Sequence, residues 1–217
     1  MASPPGYRDI ARQRLRDTII DAARELTIVH GWDSVRMAQV AAKTGVSRQT
    51  VYNEFGGKAG LAEALAQREA ERFIAGMRAS LFAHGDDVRA GAYAAILYVL
   101  QDAAGDPLIT SILAGTRDGP DALLPFLTTR AELVLTSATA VLREWALEHL
   151  PGISAEQQAF AAESIVRLGV SHMVLPTAPA ERTAERLAEA IARAALGLTQ
   201  LGGAFAAAPP CGPRSPR

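Results

Sequence analysis

The stretch RMAQVAAKTGVSRQTVYNEFGGK, residues 36–58, decides how the chain folds. Two short runs with apolar residues at helical spacing, 37–44 and 48–55, flank the tripeptide Gly45-Val46-Ser47. Glycine adopts the left-handed backbone that ends many helices, and a serine hydroxyl can accept a hydrogen bond from a free amide in the first turn of the next helix. The segment therefore predicts a helix, a tight turn and a second helix.

The second of these helices would have one apolar and one polar face. Val51 and Phe55 are four residues apart, so they share a face that would pack on Val40, Ala41 and Val46. The remaining positions offer two amides, a hydroxyl, a phenol and a guanidinium, from Arg48, Gln49, Thr50, Tyr52 and Asn53. Glutamine and asparagine can pair with adenine, and arginine with guanine or phosphate. A solvated helix face is the alternative, but the agreement of turn, cap and flanking elements favours a DNA-binding helix-turn-helix.

The same stretch resembles the N-terminal domain of TetR-type transcriptional regulators. The shared features are Val40-Ala41, Gly45-Val46-Ser47, Val51-Tyr52, Phe55 and Lys58. The resemblance implies that Arg48, Gln49, Thr50, Tyr52 and Asn53 enter the major groove and that Lys58 touches phosphate. Arg36 and Ser47, at the starts of the two helices, complete the predicted DNA-binding set.

Two residues of the stretch depart from the family pattern. Arg36 stands where many members carry threonine, so a capping hydroxyl at that position must come from Ser34 or be absent. Glu54 stands where an aromatic residue or histidine is common. Its charge would repel phosphate unless the side chain points away or accepts from a cytosine amino group.

Composition and charge narrow the class of protein. The 217 residues carry a net charge of -1, but residues 1–60 hold 9 Lys or Arg against 6 Asp or Glu. The basic end is therefore the end with the motif. Cys211 is the single cysteine, and the sequence shows neither a signal peptide nor a long apolar run, which favours a cytoplasmic protein. The four histidines lie far apart and no phosphate-binding glycine loop is present, so we expect no catalytic residue, metal or cofactor.

Apolar periodicity predicts an all-α chain: a three-helix helix-turn-helix domain at 8–57, a larger helical ligand-binding and dimerisation domain at 58–201, and a disordered tail at 202–217. A helix from Arg8 to Gly31 would brace the motif, with Trp32 in the core of the small domain. Arginines at its start could reach DNA or form a solvated face. The later helices are predicted at 58–84, 88–104, 108–114, 123–150, 154–175 and 180–201, with Ser154 and Gln157 forming a capping box.

The second domain contains helices that are apolar nearly all round, which either fill a core or line a cavity. The resemblance implies an effector cavity, and an apolar lining suits a fatty acid, an acyl-thioester or a hydrophobic drug. The predicted ligand-binding residues are Tyr93, Leu97, Phe126, Arg130, Val134 and His172. Each polar member has an ordinary structural alternative: a wet tyrosine hydroxyl, a surface ion pair or a satisfied core histidine.

The last two predicted helices carry small residues at close-packing positions: Ala159, Ala161, Ala162 and Gly169, then Ala188, Ala192, Ala195 and Gly197. Such residues suit either a two-fold contact between copies or an ordinary contact within the domain, and the resemblance favours a homodimer. The sequence thus predicts a repressor that binds a palindromic operator and is released by an apolar or amphipathic effector. A regulator without an inducer, controlled by a protein partner or acting as an activator, is the alternative.

Overall fold

The computed structural model describes residues 6–108, 131–150 and 152–206. In these ranges the regular elements are helices, which confirms the predicted all-α class. They are α1 (Tyr7–His30), a 3-10 turn (Trp32–Ser34), α2 (Met37–Thr44), α3 (Arg48–Phe55), α4 (Lys58–Phe82), α5 (Val88–Gly105), α6 (Ala131–His149), α7 (Ala155–Val174) and α8 (Ala180–Ala206). No helix in the described ranges has the length and apolar content needed to cross a bilayer.

The chain forms two compact units, each assembled from two separate stretches of sequence. The first contains residues 6–74 together with 102–108 and 131–134, and the second contains 75–101 and 135–206. Both dividing points near residues 74 and 101 fall inside helices, α4 and α5. The division therefore lies further along α4 than residue 58, where the sequence analysis placed the domain boundary.

The core of the first unit gathers around Trp32, whose side chain is almost completely buried as predicted. Apolar residues of α1 to α4 and the segment before α2 surround it, and those at most 2% exposed are Ile19, Ala23, Val35, Val40, Val51, Leu61, Ala62 and Leu65. Thr27 is the buried polar member of α1, and its hydroxyl donates to the Ala23 carbonyl at 2.7 Å. Leu108, from just beyond α5, completes this core.

A network of ion pairs fastens the end of α5 within the first unit. Arg24 donates through Nη2 to both oxygens of Asp106 at 2.9 Å and through Nε to Glu69 at 3.1 Å. Arg72 reaches Glu69 at 3.2 Å, Asp102 at 2.9 Å and Asp106 at 2.7 Å. The hydrogen bond with Asp102 raises the pKa of Arg72 above its already high range. Helices α1, α4 and α5 thus meet at Asp106, whose side chain is only 5% exposed.

Replacing Asp106 by alanine should lower the free energy of unfolding by about 2 kcal/mol, since charged hydrogen bonds contribute about 1.5–3 kcal/mol and solvent recovers part of this at the partly exposed arginines. Asp106 also accepts from the backbone N–H of Leu108 at 2.8 Å. Urea unfolding measures the change. Glu163→Ala, which breaks an exposed pair with Arg167, is the control, and its cost should be about 0.3–0.5 kcal/mol. Equal costs in the two variants would contradict a structural role for the network.

In the second unit α5 packs on α8. The buried residues of this contact are Ala92, Ile96, Leu100, Ala184 and Ala188. The small side chains let the two helices approach closely. Ala188 therefore takes part in a contact within the domain, which was the alternative to a contact between copies. Ala162 and Ala195 are also buried within the chain, so neither of them is available for a contact between copies. The remaining small residues predicted at the dimer contact are not fully buried.

Several predicted boundaries differ from the structure. Helix α8 continues to Ala206, so residues 202–206 do not belong to a disordered tail. Gly202 and Gly203 weaken a helix by about 1 kcal/mol each but do not end it where alanines follow. Helix α7 begins with the predicted capping box, since the Ser154 hydroxyl accepts from the Gln157 N–H at 3.3 Å. Residues 109–114 of the predicted helix at 108–114, residues 123–130 of the predicted helix at 123–150, and residues 207–217 lie outside the described residues.

Candidate nucleic-acid interface

The turn between α2 and α3 has the predicted backbone. Gly45 lies in the left-handed region with φ 70° and ψ 18°, and the Val46 N–H donates to the Ala41 carbonyl at 3.1 Å. The Ser47 hydroxyl accepts from the Thr50 N–H at 3.0 Å, so Ser47 caps α3. These contacts fix the relative direction of two short helices that would not be stable alone.

One face of α3 is buried and the other is open. Val51 and Phe55 are buried against Val40 and Ala41, with Val46 packed beside them, as the apolar spacing predicted. Ser47, Arg48, Gln49 and Asn53 are exposed, whereas Thr50 and Tyr52 are partly buried. Tyr52 also packs on the core of the first unit. The open face therefore presents the predicted set of polar side chains to solvent.

The polar side chains of α3 hold one another in pairs. Gln49 Nε2 donates to Asn53 Oδ1 at 2.8 Å, and Arg48 Nη2 donates to the Tyr52 hydroxyl at 3.2 Å. The Arg48 guanidinium also lies 5.3 Å from the centre of the Tyr52 ring. Each pair spans one helical turn. Such pairing orders the donors and acceptors that could meet base edges, so less side-chain freedom would be lost on binding.

Arg36 and Lys58 converge on a single backbone oxygen. Arg36 Nη1 donates to the Asp33 carbonyl at 2.5 Å, and Lys58 Nζ donates to the same carbonyl at 3.1 Å. The Lys58 ammonium also lies 5.2 Å from the centre of the Trp32 indole. No hydroxyl caps α2; instead the Arg36 N–H donates to Gln39 Oε1 at 2.8 Å. Two cations thus sit together beside the helix-turn-helix, where a phosphate could contact both.

Glu54, the acid that departs from the family pattern, is held by two arginines of α1. Arg12 Nε donates to both carboxylate oxygens at 3.0 Å, and Arg16 Nη1 lies 3.3 Å from one of them. The Glu54 side chain is 12% exposed. Partial burial alone would raise the pKa of Glu54, but the hydrogen bonds from Arg12 and Arg16 outweigh it and hold the pKa below its usual value. The carboxylate is therefore ionised and compensated at neutral pH.

This depressed pKa gives a pH-dependent contribution to stability. A carboxyl with a lower pKa in the folded state stabilises the fold above its unfolded pKa, and the contribution disappears as pH falls through the folded value. The free energy of unfolding of wild type should therefore exceed that of Glu54→Gln at pH 7, and the difference should shrink below about pH 4. Urea unfolding across this range measures it, with Glu163→Gln as the exposed control. A difference that does not change with pH would contradict the ion pairing.

The sequence pattern did not identify two features of this interface. Arg12 and Arg16 were known only as members of a basic cluster, because their partner is 42 or 38 residues away. Gly60, in the first turn of α4, passes so close to the end of α3 that an added Cβ would lie 2.0 Å from the Phe55 carbonyl oxygen. The arginine cluster at the start of α1 and the departure at Glu54 were the sequence signals at this site, but neither identified the other as its partner.

The predicted effector residues fall into several groups. Tyr93 and Leu97 are partly buried where α5 packs on α8, and His172 is partly exposed on α7. Val134 belongs to the first unit, whereas the other three belong to the second. Phe126 and Arg130 lie outside the described residues. The structure thus brings Tyr93 and Leu97 together, and the predicted cavity stays a prediction.

A surface depression beside Tyr93 is lined by charged residues. Arg89, Glu181, Arg182 and Glu185 surround it. Arg89 donates to Glu189 at 3.0 Å, and Gln101 donates to Glu181 at 3.1 Å. Arg89, Glu181 and Glu185 thus form ion pairs or hydrogen bonds on the surface, and the depression does not have the apolar lining expected for the effector.

Two protein-family models match the chain, one in its N-terminal part and one in its C-terminal part. Residues 19–65 match the family model of bacterial regulatory proteins of the tetR family, and residues 87–193 match that of the bacterial tetracyclin repressor C-terminal domain. The HTH-type transcriptional regulator AlkX of Mycobacterium tuberculosis (strain ATCC 25618 / H37Rv) is 33% identical over 170 residues, which cover 78% of this chain and 80% of that protein.

Solved structures agree with these matches. The TetR family repressor AlkX from Dietzia sp. strain DQ12-45-1b, implicated in biodegradation of n-alkanes, is 33% identical with a TM-score of 0.65, and the match covers 85% of this chain and 97% of that one. The fatty acid degradation regulator FadR from Bacillus halodurans has a TM-score of 0.55 at 20% identity, covering 87% and 96% of the two chains. The second likeness concerns the fold alone.

Proposed function

The chain belongs to the TetR family of DNA-binding transcriptional regulators, which are not enzymes, and we propose that it is a repressor that binds a palindromic operator as a homodimer and is released by a small amphipathic molecule. The observation that carries the DNA-binding part is the open face of α3, where Gln49 and Asn53, and Arg48 and Tyr52, are paired in ordered positions. Arg36 and Lys58 supply positive charge beside it. Side chains of α3 read base edges, and the two cations fix the register through phosphates.

The homodimer is supported by an apolar stripe on α7. Phe160 is 74% exposed and Leu168 50% exposed, and Leu175, at the end of the helix, is 70% exposed. Their spacing places all three on one side of the helix. A second copy of the chain would cover this stripe through a two-fold contact. Two recognition helices could then enter successive major grooves, which are about 34–36 Å apart on one face of B-DNA.

Phe160→Glu should shift the protein from dimer to monomer, because a carboxylate inside an apolar contact loses its water without gaining a partner. Sedimentation equilibrium at micromolar concentration measures the mass. Leu147→Glu, at an exposed position of α6, is the matched control and should leave the dimer intact. A monomeric wild type, or a Phe160→Glu variant that remains dimeric, would contradict the proposed contact.

The effector we propose is a molecule with a long hydrocarbon chain, such as a fatty acid or acyl-thioester. The Dietzia AlkX protein, which is implicated in biodegradation of n-alkanes, supports this class over a flat hydrophobic drug. Tyr93, Leu97 and His172, which lie in the second unit, remain its candidate contacts. An effector that prefers a different separation of the recognition helices weakens DNA binding, and DNA weakens effector binding equally.

Mass spectrometry of molecules released by denaturing the purified protein tests the effector. A binding duplex is first selected from a random library. Fluorescence anisotropy with this duplex then measures whether decanoate, palmitate or hexadecane lowers the affinity of the protein for DNA. A stoichiometric acyl compound that releases the duplex supports the proposal. Failure of every acyl compound and alkane to change the affinity, with nothing bound, would instead favour a regulator controlled by a protein partner.

A further inference from the structure

We propose that Arg12 and Arg16 of α1 are positioning residues for α3, and that they determine sequence discrimination by holding the C-terminal end of this helix through Glu54. The inference rests on the proposed function, in which α3 reads the operator. It assigns to these arginines a role different from the phosphate contact that a basic cluster beside a DNA-binding helix would ordinarily suggest.

Arg16 holds the end of α3 by three contacts. Its Nη1 donates to the main-chain carbonyl of Glu54 at 2.5 Å and lies 3.3 Å from the Glu54 carboxylate. Its guanidinium carbon stands 4.5 Å from the centre of the Phe55 ring. One planar guanidinium thus contacts the Glu54 backbone, the Glu54 carboxylate and the Phe55 ring. A lysine ammonium has neither the paired N–H donors nor the flat face needed for these contacts. A cation at the C-terminus of a helix is also favoured by the helix dipole.

Two adjacent glycines follow α3 directly, so the connection to α4 restrains the end of this helix less than other residues would. Gly56 and Gly57 have φ values of 70° and 154°, both in regions that favour glycine. At its other end α3 is fixed by the Ser47 cap. Helix α3 has only eight residues, so a small rotation about its capped end would move Asn53, one residue before Glu54, relative to a base edge. Hydrogen-bond readout depends steeply on such geometry.

Charge leads to the same conclusion. Glu54 is the acid of α3, and an uncompensated carboxylate there would repel phosphate. Arg12 and Arg16 together supply two positive charges to its one. A residue used only to attract DNA would not need an acidic partner on the recognition helix. The acid is explained if its purpose is to bind α1 to α3.

The test uses the full-length chain, the duplex that wild type selects from a random library, and a shuffled duplex of the same base composition. Arg16→Gln is compared with Arg14→Gln, which removes the same charge from an exposed position of α1. Positioning predicts a ratio of selected to shuffled affinity at least tenfold lower in Arg16→Gln than in Arg14→Gln. Shuffled-duplex affinity and the salt dependence of binding should be the same in both variants.

Two further variants separate positioning from charge. Arg16→Lys keeps the charge but loses the paired N–H donors of the guanidinium. A positioning role predicts a lower ratio of selected to shuffled affinity, whereas an electrostatic role predicts the wild-type ratio. Glu54→Gln removes a negative charge, so electrostatics alone predicts tighter binding to both duplexes, whereas positioning predicts a lower ratio. These variants also decide the matter if Arg16→Gln does not fold.

The inference is overturned if Arg16→Gln and Arg14→Gln lower the ratio equally, or if Arg16→Lys and Glu54→Gln keep the wild-type ratio. A salt slope smaller by about 0.9 in Arg16→Gln than in Arg14→Gln would make Arg16 a phosphate contact, which also overturns it. If the proposed function itself is wrong, wild type will select no sequence from the library, which distinguishes that outcome from failure of this inference alone.

Discussion

Asn53→Ala should weaken binding to the selected operator by about 10- to 100-fold while leaving the fold intact, because a bidentate amide contact to a base contributes about 1–3 kcal/mol of discrimination. Asn53 is exposed, so its removal opens no cavity. Asn53 Oδ1 accepts a hydrogen bond from Gln49 Nε2 at 2.8 Å. Without this bond the Gln49 side chain would be less ordered on the same face. Fluorescence anisotropy with selected and shuffled duplexes measures the effect, which should fall on the selected duplex alone.

Tyr52 requires a gentler substitution. Its ring packs on the core of the first unit, so Tyr52→Ala would combine lost packing with a lost hydroxyl. Tyr52→Phe removes the hydroxyl that Arg48 contacts and keeps the ring. Ala38→Ser, at an exposed position of α2, is the control for a surface change. Unchanged operator affinity in both Asn53→Ala and Tyr52→Phe would remove α3 from the role of recognition helix.

Gly60→Ala should destabilise the first unit by about 2–3 kcal/mol, although alanine is the better helix former. The new Cβ would lie 2.0 Å from the Phe55 carbonyl oxygen and 3.1 Å from its carbonyl carbon. Both atoms belong to backbone, so no side chain can rotate away. The gain of about 1 kcal/mol in helix propensity is smaller than the cost of this overlap.

Gly105→Ala is the matched control for Gly60→Ala, because a Cβ there would meet nothing within 4 Å. Its stability should stay equal to wild type or rise by up to about 1 kcal/mol. Thermal unfolding followed by circular dichroism compares the two variants. If Gly60→Ala is as stable as Gly105→Ala, the close approach of α4 to the end of α3 is not a constraint on the fold.

Local patterns were sufficient to predict the helix-turn-helix. Gly45, Ser47 and the spacing of Val51 and Phe55 each act within a few residues, so the chain itself specifies turn, cap and buried face. The family match and the described helices confirm this part. The DNA contacts of the individual residues stay predictions.

Contacts between distant residues could not be predicted in the same way. The partner of Glu54 is on α1, and the partners of Asp106 are on α1 and α4, at separations that leave no periodic signal. Gly60 looked like an ordinary residue of a helix, since its constraint comes from the neighbouring backbone. The prediction of a disordered tail from residue 202 was wrong at its start, because the helix continues through Gly202 and Gly203 to Ala206.

The discontinuous first unit limits how such a protein can be divided or recombined. A fragment that ends at residue 74 would contain the whole helix-turn-helix but would lack Leu108 from its core and the carboxylates of Asp102 and Asp106. Arg24 and Arg72 would then lose their main partners. The DNA-binding unit therefore cannot be separated from the rest of the chain by truncation at a single position. A chimera with a different C-terminal domain would have to carry residues 102–108 along with the first 74 residues.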